Sequence, residues 1–218
     1  MPNWVDNNLT IYGTKEQIEK VKGQVSQTTT SWWENKKESE KPIFSFFNII
    51  PPPEDRIDEY FGANGYSEGE EKGNTEYNWY HFNNREWGTK WDACESSIDE
   101  VSETCVTYFF QTAWSAPTLV IQKLSEQNPE LDITLRFVEE QGWGGENFYK
   151  DGIETEEDSW DIPSSHAENE KVRGDCYACM EYESSEDMKD LYKDCPDYKD
   201  YGKPIELYEV PEIQIVGA

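Results

Sequence analysis

Residues 104–140 read TCVTYFFQTAWSAPTLVIQKLSEQNPELDITLRFVEE, and the spacing of the apolar residues changes twice along this stretch. The first part, Thr104 to Trp114, is rich in β-branched and aromatic residues, which predicts a strand. A helix is predicted next, with Ser115 near its N-cap and its end before Pro129. From Leu131 onwards apolar and polar residues alternate, which predicts a strand with one covered face. Strand, helix and strand therefore follow one another here.

The N-terminal part predicts a similar order. LTIYG, residues 9–13, has the composition of a short strand, and the helix after it begins with a capping box formed by Thr14 and Gln17. PIFSFFNIIPPPE, residues 42–54, is predicted to be a second strand, because an apolar run ends at three prolines. With a hairpin partner for the last strand at residues 146–152, the elements predict an α+β sandwich whose helices cover one face of a mostly antiparallel sheet.

The composition limits the classes of partner. The chain has 46 acidic and 19 basic residues and a net charge of −27, so its field repels nucleic acid and anionic membranes and attracts basic surfaces. We therefore expect no direct nucleic-acid binding and no membrane association. The sequence shows neither a signal peptide nor an apolar run of membrane-spanning length, which predicts a cytoplasmic protein.

Four short stretches carry a resemblance to a known family. MPNW with NNLTIYG, FSFFNIIPPPE, WGTKWDA and QTAWSAPTLVIQKLSEQNPEL occur in this order. In these stretches the chain resembles the YubB-type or Api-like uncharacterised proteins of phages and plasmids. The resemblance implies a ferredoxin-like fold, with two helices on one face of the sheet, and a setting in the host-cell cytosol. It assigns no catalytic residue.

The resemblance covers residues 1–152, which we expect to form the ferredoxin-like domain, with a loop insertion near residues 62–75. Residues 153–218 match the family poorly and are rich in acidic residues, although they keep some apolar periodicity. We expect them to form an acidic subdomain that packs on the first domain.

The segment NREWGTKWDAC, residues 84–94, has two interpretations. As a binding site, Trp87 and Trp91 would supply flat stacking surfaces, Lys90 a cation and Asp92 an acceptor, and Trp114 would join them from the end of its strand. As a folding device, the glycine permits a bend, and the tryptophans cover the sheet while the charged residues lie at the rim. The aromatic content of the chain favours the folding interpretation, because tryptophan in a small core is more often packing than ligand contact.

The cysteines and histidines suggest a metal site, but they do not suggest a catalytic site. Cys176, Cys179, Cys195 and His166 could supply four zinc ligands, but a structural zinc site usually shows a second closely spaced ligand pair, which this sequence lacks. Unligated thiols are therefore the expectation, and no metal or cofactor is predicted. No nucleophile motif or phosphate-binding glycine loop precedes a helix, so we expect a protein that is not an enzyme.

Two functions follow as expectations. The first is an acidic binding protein of a phage or plasmid that occupies a basic host protein, such as a nucleic-acid-binding or defence protein, by mimicking DNA. Glu156, Glu157 and Asp158 would supply carboxylates for it, although such charge also serves solubility. The second is a small-ligand or nucleotide-binding module with a tryptophan-lined site.

Overall fold

The computed structural model describes residues 2–27, 41–62, 76–163 and 166–173, without the side chains of 155–157, 166, 167, 169 and 170. The predicted insertion near 62–75 and most of the predicted acidic subdomain lie outside the described residues. The chain divides into two compact units, Met1–Ile162 and Pro163–Ala218. In the described part, no helix is both long enough and apolar enough to cross a membrane.

The first unit is built on one antiparallel sheet, whose six described strands lie in the order β2-β3-β1-β4-β5-β6. The strands are β1 Trp4–Tyr12, β2 Cys94–Val101, β3 Cys105–Ala113, β4 Asp132–Glu139, β5 Gly144–Lys150 and β6 Ile153–Trp160. The helices of this unit are α1 Lys15–Val25, α2 Ile57–Phe61, α3 Trp79–Glu86 and α4 Thr118–Gln127. Among the described residues of the second unit, α5 spans His166–Arg173.

The elements β1, α1, β2, β3, α4 and β4 form the ferredoxin-like arrangement, and β5 and β6 extend the sheet beyond β4. The α+β, ferredoxin-like fold class is thus confirmed. The predicted capping box also forms, because Thr14 accepts from the backbone of Gln17 while the Gln17 side chain accepts from the Thr14 backbone at 2.7 Å. Helices α1 and α4 lie side by side on one face, where Gln24 donates to Gln127 at 2.7 Å.

The sequence pattern indicated that residues 42–54 form the second strand. The structure shows no strand there. Phe46–Asn48 form a 3₁₀ turn, and the backbone N–H of Phe46 donates to the carboxylate of Asp92 at 2.6 Å. The apolar residues of this segment still cover the core, because Phe44 and Phe46 are 1% and 0% exposed. Burial therefore explains the apolar run, and β2 takes the second strand position.

The predicted domain boundary at residue 152 falls inside a hairpin. Strand β6 pairs with β5 from Ile153↔Lys150 to Trp160↔Gly144, so the sheet continues up to the boundary between the two compact units. The packing of an acidic subdomain on the first domain stays a prediction. A smaller difference concerns α4, whose N-cap is Pro117, while the Ser115 hydroxyl donates to the carbonyl of Gly88.

The core lies between the helices and one face of the sheet. Strand β1 crosses the middle of the sheet and alternates between buried and more exposed positions, with Leu9 and Ile11 fully buried. The aromatic rings of Phe44, Phe46 and Phe110 pack against one another in the core at centroid distances of 5.0–6.0 Å, one pair stacked and two edge to face. The opposite face of the sheet carries Trp4 at the first position of β1, and this end of the sheet holds the candidate site.

Candidate functional site

One row of side chains, which we call the aromatic stripe, joins the sheet to α3. It consists of Trp4, Trp91, Lys90, Tyr80 and Trp79. The rings of Trp4 and Trp91 are 5.8 Å apart and tilted by 50°. The ammonium group of Lys90 lies 5.4 Å from the Trp91 centroid, 5.6 Å from that of Tyr80 and 5.9 Å from that of Trp79. These distances lie within the range of cation–π attraction.

The backbone of the stripe is held by hydrogen bonds from buried groups. The Asn78 side chain caps α3 by accepting from the N–H of Tyr80 at 3.0 Å. Asn83, 3% exposed, donates to the carbonyl of Lys90 at 2.9 Å and accepts from the hydroxyl of Tyr60. These hydrogen bonds therefore hold the backbone of Tyr80 and of Lys90 in place.

Trp87 does not belong to this surface. It is 0% exposed, packs against the rings of Phe46, Phe47 and Phe82, and donates from its indole nitrogen to the carbonyl of Ile50 at 2.9 Å. A ligand cannot reach this ring in the folded protein, so the folding interpretation describes Trp87.

Asp92 also has a structural role. Its carboxylate accepts from the Ser45 hydroxyl at 2.6 Å, the Phe46 N–H at 2.6 Å and the Ala93 N–H at 2.8 Å. Burial is the main influence on this group and raises the pKa of Asp92 to about 6, while the three hydrogen bonds oppose the increase. The carboxylate joins the 3₁₀ turn to the loop before β2, and its oxygens face donors of the protein itself.

This pKa gives a prediction about stability and pH. Because the folded protein binds the Asp92 proton more tightly than the unfolded chain, stability should fall as pH rises between the ordinary value of 3.8 and about 6. From pH 5 to 7.5 the expected loss is about 1.4 kcal/mol, the equivalent of one pKa unit. Denaturant unfolding of the wild type and of Asp92→Asn at both pH values measures it.

The constant cost of placing an amide at this position cancels in the comparison, since only the change with pH is used. This range also avoids the isoelectric point near 4.2, where the protein is least soluble. Wild type and Asp92→Asn profiles that run parallel from pH 5 to 7.5 would contradict the prediction.

Trp114 lies at the same end of the sheet and is 52% exposed. Its backbone N–H donates to the carbonyl of Asn3, the residue before β1, at 2.9 Å. Its φ angle is 74°, a left-handed conformation that is unfavourable for a bulky side chain. A strained, exposed aromatic residue at this end of the sheet is a candidate contact residue.

The acidic candidates lie on β6, one of the two outermost described strands. Glu156 pairs with Phe148, Glu157 with Asn147 and Asp158 with Glu146; the side chain of Asp158 is exposed. Sequence reasoning did not identify Arg136, whose guanidinium lies 5.4 Å from the ring of Trp160. The pairing of β4 with β5 and of β5 with β6 brings these two residues together, which no local pattern predicts.

The zinc hypothesis stays a prediction. His166 begins α5, without a described side chain, and Cys176, Cys179 and Cys195 lie outside the described residues. The two cysteines of the first unit, Cys94 and Cys105, are free thiols.

The fold and this surface define an α+β protein with a ferredoxin-like sheet and an aromatic stripe at one end. Residues 86–179 match the family model described as a ferredoxin-like domain in Api92-like protein, which confirms the predicted resemblance to Api-like proteins. A crystal structure of protein api92 from Yersinia pseudotuberculosis is similar over 75% of this chain and 99% of its own, with 9% identity and a TM-score of 0.48. No curated protein matches the chain.

Proposed function

We propose that the chain is a non-enzymatic acidic binding protein that occupies a basic surface of another protein. The observation that carries the proposal is the net charge of −27, together with the acidic sequences of the two outermost strands in the described part of the sheet. The sequences of these strands are CESSIDEV for β2 and IETEEDSW for β6, and neither contains a lysine or arginine.

Charge on an edge strand also prevents edge-to-edge aggregation, so the position of the carboxylates needs a separate argument. Asp158 lies directly opposite Glu146 on the neighbouring strand, and like charges in this position destabilise a sheet. On its other side Glu146 lies opposite Arg136, so Glu146 has a cationic neighbour, whereas Asp158 is exposed. The exposed carboxylate of Asp158 therefore supports a role in attracting a basic partner.

The run of acidic residues in β6 supports the finer proposal of DNA mimicry. Successive side chains of a strand point to opposite faces, so residues that share a face are about 6.8 Å apart, which is twice the axial spacing of charges along one strand of DNA, about 3.4 Å. Glu156, Glu157 and Asp158 are consecutive in β6. A nucleic-acid-binding or defence protein of the host is the partner that such an array would suit. A phage or plasmid origin and membership of the YubB group belong to the same proposal.

The test is capture of host proteins by the immobilised chain at low and moderate salt. We expect enrichment of nucleic-acid-binding proteins, loss of capture between about 50 and 200 mM salt, and release by added DNA, because the interaction is electrostatic. Capture that is unaffected by both salt and DNA, or no enrichment of this class, would overturn the proposal.

A matched pair of variants separates the effect of the charge on β6 from the effect of the net charge of the protein. Asp158→Asn and Glu16→Gln remove the same charge from an exposed site on β6 and on α1 respectively. We expect Asp158→Asn to weaken the captured complex more than Glu16→Gln. It should also raise the free energy of unfolding by a few tenths of a kcal/mol, since the charge opposite Glu146 is gone. Equal binding by both variants would mean that β6 is not the contact.

A second candidate function, binding of a small planar ligand such as a nucleotide, is favoured by the exposure and strain of Trp114. Trp114→Gly would relieve the left-handed strain, so its stability should not fall, whereas ligand binding should be lost. A panel of nucleotides, read by melting temperature, provides the measurement. A flat response of the wild type across the panel would exclude this function for those ligands.

A further inference from the structure

We infer that Trp79, Tyr80 and Trp91 form a binding site for quaternary ammonium groups, which Lys90 occupies from within the same chain. Three aromatic rings lie within 5.9 Å of one ammonium group. An enclosure of this kind recognises alkylated ammonium ions, because the ring faces attract positive charge and also present an apolar surface.

Contacts other than those with Lys90 support the three aromatic residues. Trp79 packs against the hydrophobic core, Trp91 packs on Trp4, and the Asn78 side chain holds the backbone N–H of Tyr80. The backbone of Lys90 is held separately by the side chain of Asn83. Removal of the ammonium group should therefore leave the site formed and accessible, since Tyr80 is 40% exposed and Trp79 and Trp91 are half-buried.

The chemistry favours exchange of Lys90 for a quaternary ion. A primary ammonium is compact and strongly hydrated, so Lys90 regains much of its solvation when its flexible side chain moves into water. A quaternary ammonium has no N–H group to hydrate and carries methyl groups that pack on the rings. Lys90 thus acts as a tethered competitor, at an effective concentration set by the length of its own side chain.

The experiment titrates the full chain with tetramethylammonium chloride, with sodium chloride holding the ionic strength constant. The indole N–H signals of Trp79 and Trp91 in the NMR spectrum report the site, and the buried Trp87 provides an internal reference. We expect weak binding by the wild type. Lys90→Gln should bind the tetramethylammonium ion roughly 2- to 30-fold more tightly than the wild type does. This range corresponds to the cation–π energies of exposed and of desolvated sites.

Tyr80→Ala, combined with Lys90→Gln, should abolish the gain because it removes the most exposed ring. Equal affinity of the wild type and Lys90→Gln, or a gain that survives Tyr80→Ala, would overturn the inference. Lys90→Ala serves as a second variant if the glutamine variant does not fold. The probe is a small cation alone, so the result does not depend on the proposed basic partner.

Discussion

Replacement of Trp87 by alanine should lower the free energy of unfolding by about 3–5 kcal/mol, the cost of removing a large aromatic side chain from a packed core. The ring is fully buried among Phe46, Phe47 and Phe82. Its loss would also leave the carbonyl of Ile50 without the indole donor that now satisfies it. Denaturant unfolding of the wild type and the variant measures the difference, which is a large share of the stability of a domain.

Two further variants identify the source of this effect. Trp87→Phe keeps most of the aromatic contact but removes the hydrogen bond, so it should cost about 1–3 kcal/mol, the penalty for an unsatisfied buried group. Trp114→Ala, at the exposed tryptophan, should change stability by much less. If Trp87→Ala and Trp114→Ala had similar effects, the assignment of Trp87 to the core would be wrong.

The second large effect is expected at Gly144, the first residue of β5. A Cβ atom added there would fall on the carbonyl oxygen of Phe137 and lie 2.8 Å from the ring of Trp160. The backbone oxygen cannot move without disturbing the pairing of Val138 with Gly144. Gly144→Ala should therefore destabilise the protein by about 3 kcal/mol, at the upper end of the usual cost of overpacking.

Gly23→Ala is the matched control for this substitution. Gly23 lies within α1, and an added Cβ meets no atom within 4 Å. Alanine should raise the stability there by up to about 1 kcal/mol because it is the better helix former. Melting temperatures of the two variants should consequently move in opposite directions, and a stable Gly144→Ala protein would contradict the close packing of β5 on β4.

Local signals in the sequence account for part of this fold. The alternation after Leu131 predicted β4, and Thr14 with Gln17 predicted the start of α1, because both depend on residues only a few positions apart. The pattern at residues 42–54 was misleading, since an apolar run indicates burial and does not by itself distinguish a strand from a covered turn. Strand β2 was missed because CESSIDEV contains few apolar residues, as an edge strand allows.

The candidate site was less predictable, because residues that are far apart in the sequence form it. Two residues of the segment 84–94, Lys90 and Trp91, do belong to the aromatic stripe, but Trp4 reaches them only through the sheet, and Trp79 and Tyr80 through α3. Sequence spacing could not distinguish the surface Trp91 from the buried Trp87. The end of α3 separates the two tryptophans. The N–H of Trp87, at the C-cap of α3, donates to the carbonyl of Asn83, whereas Lys90 and Trp91 lie in the loop after the helix.

The central position of β1 has a consequence for synthesis on the ribosome. β1 pairs with β3 and β4, so its partners are translated long after it. At 5–20 residues per second, of the order of 10 s pass between the synthesis of Tyr12 and that of Glu139. Until β3 has been made, the apolar face of β1 has no sheet to join. Residues 1–41 contain six acidic and six basic residues, so charge repulsion does little to keep this face of the nascent chain from other chains during that time.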